Sequence, residues 1–189
     1  MPSDTKTIIL KKAAETFAES GYDEFGIRTL AQKIPITPSV LYHHFADKDG
    51  LLKAMFDMLN KELGRKRALL PAQKTASQML KQRIEFQIDN QEAIVAVLKY
   101  YLSYRKNFKR FKNGFVPDKS ALHIEEVLRF GVEKNEFQVQ NLEDDAKVIT
   151  HAINGFLLEY YPYIPKEKEK EELIERIYSF LIRALKGGE

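Results

Sequence analysis

The stretch Ile27–Lys48, IRTLAQKIPITPSVLYHHFADK, decides the architecture. It reads as a short helix, a tight turn, a second short helix and the capped start of a third. Ile27, Leu30, Ala31 and Ile34 share one face at helical spacing. Pro35 cannot donate a backbone hydrogen bond and drives Ile34 out of helical dihedrals, so the first helix must end there. Thr37 then offers a side-chain oxygen as N-cap, and Pro38 takes the first helical position, where its missing N–H costs nothing. The second helix is expected from Pro38 to about His44. Asp47 is a suitable N-cap for the next helix, which carries Leu51, Leu52, Met55, Phe56, Leu59 and Leu63 at helical spacing.

A chain that bends back so sharply between two short helices holds one of them away from its body, and the major groove of duplex DNA is the usual target. On the helix from Pro38, Leu41 and Phe45 lie four apart and should pack inward. Ser39, Tyr42 and His43 then face outward. Ser39 can bond a base edge or a phosphate, and Val40 can touch a thymine methyl. The plainer alternative has Tyr42 packing on the preceding helix and both histidines as ordinary surface residues. Lys48 sits at a helix N-terminus, where a cation opposes the helix dipole; a nearby phosphate would remove that conflict.

Composition narrows the class. The 189 residues are 44% hydrophobic and 30% charged, which suits a globular chain able to bury a core. No cysteine is present, so disulfides, thiol catalysis and thiolate metal sites are excluded; a reducing cytoplasm is the expected setting. Neither a secretory h-region nor a run of membrane-spanning length is visible, so no membrane partner is expected. The net charge is +3, yet residues 1–50 hold six Lys/Arg (6, 11, 12, 28, 33, 48) against seven Asp/Glu (4, 15, 19, 23, 24, 47, 49), a balance of −1. A single such module should bind DNA poorly. Affinity would come from two modules, from backbone N–H groups at helix N-termini and from a few placed cations.

The remainder reads as helices throughout. Residues 4–20 form an amphipathic helix closed by Gly21, and further helices are expected over 74–90, 91–108, 118–134, 142–161 and 166–186. Asn113, Gly114 and Pro117 mark a loop, residues 135–141 a second break, and Pro162 and Pro165 a corner. The expected fold is all-α, with about nine helices: a three-helix helix–turn–helix module over residues 1–50 and a helical body over 51–189. The last two long helices carry more apolar positions than one body needs. They are therefore expected to pair two copies, with Ile149, Ile153, Gly155, Phe156, Ile177, Phe180 and Leu181 at the interface.

The first quarter of the chain resembles the DNA-binding domain of the tetracycline-repressor (TetR) family. The matching features are the helix ending in Phe17, then Gly21-Tyr22, Ile27-Arg28, Leu30-Ala31, Ile36-Thr37, Leu41-Tyr42, His44-Phe45, Lys48 and Leu51-Leu52. The resemblance implies phosphate contacts from Tyr42, His44 and Lys48 and a base contact from Arg28. With Thr37, Pro38, Ser39, Val40 and His43 these make up the expected DNA-binding set. It also implies that the body binds a ligand and dimerises. Two departures stand out. Phe25 replaces the threonine that usually caps the motif's first helix, and Pro35 replaces the turn glycine, which predicts a variant turn.

The functional expectation is a sequence-specific transcription regulator, a repressor released by a small apolar or aromatic effector, acting as a homodimer on a palindromic operator. The effector pocket is expected among Tyr100, Tyr104, Phe108, His123, Phe130, Phe156 and Tyr160, from their aromatic spacing. A different class remains open. Residues 99–112, KYYLSYRKNFKRFK, interleave six cations with five aromatics, a pattern that can grip single strands or a protein partner. The helical account places Tyr100, Tyr101, Tyr104, Phe108 and Phe111 on one inward face. His123 and Glu126 are three apart but lack further donors, so no metal or other cofactor is expected. His151 is expected in the core or an interface. No nucleophile–base arrangement or phosphate loop stands out, and no enzyme is expected.

Overall fold

The computed structural model describes residues 2–106, 121–163 and 167–187, with side chains from residue 5 to 103 in the first of these. Nine helices and no strands occur among the described residues: α1 (Pro2–Glu24), α2 (Ile27–Gln32), α3 (Pro38–His44), α4 (Lys48–Ala68), α5 (Ala76–Asp89), α6 (Gln91–Lys106), α7 (Leu122–Glu133), α8 (Leu142–Tyr160) and α9 (Glu167–Leu185). The sequence-based all-α expectation holds, with the short helices bounded where Pro35, Pro38 and Asp47 placed them.

Two compact units form. One holds α1–α4 with α6 from Glu92 onward; the other holds α5 and α7–α9. Compact packing thus divides the chain after Leu69 and before Glu92; residue 50, the expected edge of the helix–turn–helix module, falls inside α4. The reason is that α4 and α6 close over the module. Met55 and Phe56 are buried, and the Phe56 ring stacks on Tyr100 at 4.5 Å and meets Tyr101 edge-on at 5.1 Å.

In the first unit, Ile9, Ala13, Phe17, Leu30, Leu41, Leu51 and Leu52 are buried. Gly21 breaks α1 with φ 72° and ψ −169°, a region open to glycine alone. The α2–α3 corner forms without any left-handed residue. The Ile36 N–H donates to the Ile34 carbonyl across Pro35 at 2.8 Å, and Lys33 N–H donates to Leu30 at 3.0 Å. A bond spanning two residues is an inverse γ-turn, whose central φ is close to the value that the proline ring imposes. Proline therefore replaces glycine by changing the turn type.

In the second unit, α5 packs on α7, α8 and α9, and α7 packs on α8. Leu80, Ile84, Ile124, Val127, Leu128 and Ile153 form its interior. After α7 the chain reverses at Asn135, with φ 55°, while Glu136 N–H donates to the Gly131 carbonyl at 2.8 Å. That reversal lays the Phe137 ring against Gly131, where no Cβ would fit. It also aims the Glu136 carboxylate at the start of α5, where it accepts from Ala76 N–H at 2.9 Å and from Ser77 N–H and Oγ at 3.1 Å.

Candidate nucleic-acid interface

The short helix α3 owes its exposure to a single anchor. Leu41 is its buried residue, Phe45 is buried just beyond its end, and the other side chains have no core to enter. Thr37, Pro38, Ser39, Tyr42 and His43 are exposed, with Tyr42 at 53%; Val40 and His44 are half-buried. Arg28, near the start of α2, is also exposed. The outward face derived from helical spacing is the one observed.

Two local expectations need correction. Thr37 is the N-cap residue of α3 by backbone conformation, but its side chain makes no capping bond, so its hydroxyl does not hold the helix start. Asp47, by contrast, caps α4 as expected and accepts from Gly50 N–H at 2.7 Å. Lys48 is engaged within the protein. Its ammonium donates to the Tyr22 carbonyl and lies over the Tyr22 ring at 4.2 Å. The Tyr22 hydroxyl in turn donates to Asp49 at 2.6 Å. A phosphate is one group that would relieve the conflict between Lys48 and the α4 dipole; within the protein a carbonyl and a ring face already do so. Lys6, unremarked in the sequence, sits over the Phe45 ring at 5.7 Å on the exposed side of α1, and adds a cation beside α3.

The 99–112 stretch is accounted for only at its start. Lys99 donates to the carbonyls of Ala18 at 2.5 Å and Glu19 at 3.1 Å, so it closes the end of α1, and burial pushes its ammonium below the ordinary lysine value. Tyr100 is core, stacked on Phe56. His123 and Phe130 are half-buried on α7, within the second unit. Phe108 and the remaining cations and aromatics from 107 to 112 lie outside the described residues, as do the side chains of Tyr104, Arg105 and Lys106.

The expected dimer set divides sharply. Ile149, Ile153, Ile177 and Leu181 are buried inside their own protomer, so they cannot also form a surface for a second copy. Phe180 is 61% exposed, Gly155 has open space above it, and Phe156 is half-buried. Val148, 67% exposed, joins them, and His151 proves to be exposed on the same side of α8. Tyr160 lines an open groove of about 610 Å³ with Glu159, Tyr163, Glu169, Glu172, Leu173 and Arg176. His123 Nδ1 lies 3.8 Å from Glu126, and no cluster of three or more metal-ligating side chains occurs among the described residues.

One polar group in the second unit has no match in the sequence reasoning. Arg83 on α5 is half-buried, its Nε and Nη1 are shut off from water, and neither has an acceptor. Burial pushes its guanidinium below the ordinary arginine value, against the pull of Glu126 on α7. Gln87, one turn further along α5, has its Oε1 buried without a donor. The available signal was their place at the edge of the Leu80–Ile84–Ile88 stripe.

Residues 9–55 match the family model described as bacterial regulatory proteins, tetR family. Over 51 residues the chain is 37% identical to the HTH-type transcriptional regulator UidR of Escherichia coli K12, covering 27% of this chain and 26% of UidR. Over 47 residues it is 45% identical to the HTH-type transcriptional repressor Rv1474c of Mycobacterium tuberculosis, covering 25% of each. The matched segment thus spans about a quarter of the length of these curated relatives. The whole fold is similar to solved structures. A TetR-family regulator from Agrobacterium tumefaciens superimposes with a TM-score of 0.73 at 14% identity, covering 98% of this chain and 99% of that one. PfmR from Thermus thermophilus, of the same family, gives 0.67 at 22% identity, covering 93% and 97%. Residues 9–55 thus match the DNA-binding segment of the tetR family of bacterial regulatory proteins, and the fold of the chain as a whole is similar to that of solved regulators of that family.

Proposed function

We propose that this protein is a DNA-binding transcriptional regulator that reads duplex DNA with α3 and acts as a homodimer. The observation that carries the reading is the outward set Arg28, Ser39, Tyr42 and His43 around a helix anchored by Leu41 alone. Such a helix can enter a major groove, with Arg28, Ser39 and Val40 toward base edges and Tyr42, His44 and Lys6 toward phosphates. Lys48 braces α1 against α4 and needs to leave its carbonyl partner before it serves a phosphate directly. The negative balance of residues 1–50 favours a pair of modules on a palindromic site. Val148, Gly155, Phe156 and Phe180 offer the surface for pairing.

The same reading includes control by a small molecule bound in the helical body. The ligand would act through its differential affinity for two arrangements of the body, one of which holds the two α3 helices at the spacing of successive grooves. A Saccharomonospora viridis protein of similar fold (TM-score 0.68, 14% identity) is in complex with choline, so this architecture can hold a small organic ligand. Repression released by the effector fits this scheme, and no catalytic step belongs to it.

The rival, an RNA- or protein-binding surface over residues 99–112, loses Lys99 and Tyr100 to internal contacts. The test is selection of bound duplexes from random DNA, followed by titration of two variants. Arg28→Ala with Tyr42→Ala should abolish binding to the selected duplex, while neutralising Lys106, Lys109 and Arg110 should leave it intact. The reverse pattern supports the rival.

A further inference from the structure

Buried polar groups in folded proteins are nearly always paired, and a buried cation without an acceptor is among the costlier exceptions. Arg83 is half-buried, and its Nε and Nη1 are donors of that kind. Arginine stays protonated, so it cannot escape by becoming neutral. Glu126 attracts it across α5 and α7 but makes no ion pair with it; its carboxylate is 64% exposed and lies beside His123 instead. Gln87 stands one turn along the same face of α5, at a Cβ separation of about 5–6 Å for such pairs, with an acceptor oxygen unmet. Two donors on Arg83 and an acceptor on Gln87, one turn apart on α5, are the complements of a ligand's acceptor and donor.

We infer that Arg83 and Gln87 form the polar end of a small-molecule site in the second unit, whose ligand carries an oxyanion for the guanidinium and a hydrogen-bond donor about one helical turn away. This rests on the effector-controlled reading above and names the effector's chemical class. A carboxylate and a phosphate share the required head group. A hydroxy acid supplies both complements. Desolvated and charge-assisted, the Arg83 bond should dominate affinity.

The experiment measures thermal unfolding of the full chain with millimolar 4-hydroxybenzoate, benzoate, 4-hydroxybenzamide, mandelate or inorganic phosphate. At least one anion should raise Tm by about 2 °C or more, and the neutral amide should not. Phosphate acting alone assigns the head group to phosphate; the carboxylates acting alone assign it to carboxylate. In Arg83→Met the response should weaken at least about tenfold, while the ligand-free variant unfolds no earlier than wild type, because an unpaired buried charge has been removed. Arg83→Lys should retain part of the response. Equal responses to amide and acid, no response to any anion, or a ligand-free Arg83→Met that unfolds well below wild type would each overturn the inference, the last by making Arg83 structural or water-bridged. Duplex binding is measured in parallel. Lost duplex binding with an intact anion response defeats the regulator reading and spares the site; the converse defeats the site alone.

Discussion

The two units treat their inward-facing cations differently. In the first, Lys48 is bonded to the Tyr22 carbonyl and Lys99 to those of Ala18 and Glu19, so both cations close the broken end of α1. In the second, Arg83 is held between α5 and α7 with no acceptor. Satisfied cations at a helix end make a rigid platform, suited to holding α3 at a fixed angle. An unsatisfied one leaves free energy to be gained when something binds. On the proposed reading, the contrast sets rigidity where a duplex would be read and responsiveness where a ligand would enter.

The comparison is broken most directly at the platform's surface. Arg28→Ala with Tyr42→Ala should lower affinity for a selected duplex by on the order of a hundredfold or more. Both side chains are exposed, so Tm by circular dichroism should not move. A fall in Tm together with the lost affinity would mean that α3 is part of the core. Next in size, Gly131→Ala drives a methyl into the Phe137 ring in the second unit. It should cost about 1–3 kcal/mol in urea unfolding and leave duplex contacts alone.

Smaller still, Asp47→Ala removes the side-chain cap of α4. Loss of about 1 kcal/mol is expected, read by urea unfolding of the variant. The finest test sets one carboxylate from each unit against the other. Burial, and then Glu15, raise the Glu92 carboxyl above its ordinary value, against Lys12. For Glu136, burial pushes upward, but the bonds from Ala76 and Ser77 and the charge of Lys186 outweigh it and leave the carboxyl lowered. Glu92 therefore contributes stability that is full below its unfolded value and lost as pH rises through its folded one. Glu136 contributes stability that is present above its unfolded value, about 4.3, and lost as pH falls through its folded one. Glu92→Gln should gain slightly on wild type at neutral pH and converge with it in acid. Glu136→Gln should do the opposite, losing at neutral pH and converging in acid. Parallel pH profiles for the two variants would contradict the assignment.

Much of this was legible because punctuation residues are local. Gly21, Pro35, Pro38 and Asn135 act through their own backbones and Asp47 and Asn141 through side-chain caps, so α2 and α3 could be bounded from the chain alone. The outward face of α3 followed from Leu41 and Phe45. What failed was anything that depends on which apolar face meets which partner. Spacing finds the stripe on α8 and α9 but does not separate Ile149 and Ile177, which close the protomer, from Val148 and Phe180, which do not. Spacing likewise turns Tyr100 inward without saying what it meets, and the Phe56 ring is what it stacks on. Lys48, Glu136 and Arg83 were misread or missed because their partners, present or absent, lie on other helices.

The corner at Pro35 has one more consequence. A pyrrolidine ring inside an inverse γ-turn removes most torsional play between α2 and α3. In a symmetric pair, each added base pair of spacer turns one half-site by about 34° relative to the other on B-form DNA. A head with so little internal slack docks as one rigid piece. Any adjustment to the length of DNA between half-sites then has to come from outside the α2–α3 corner.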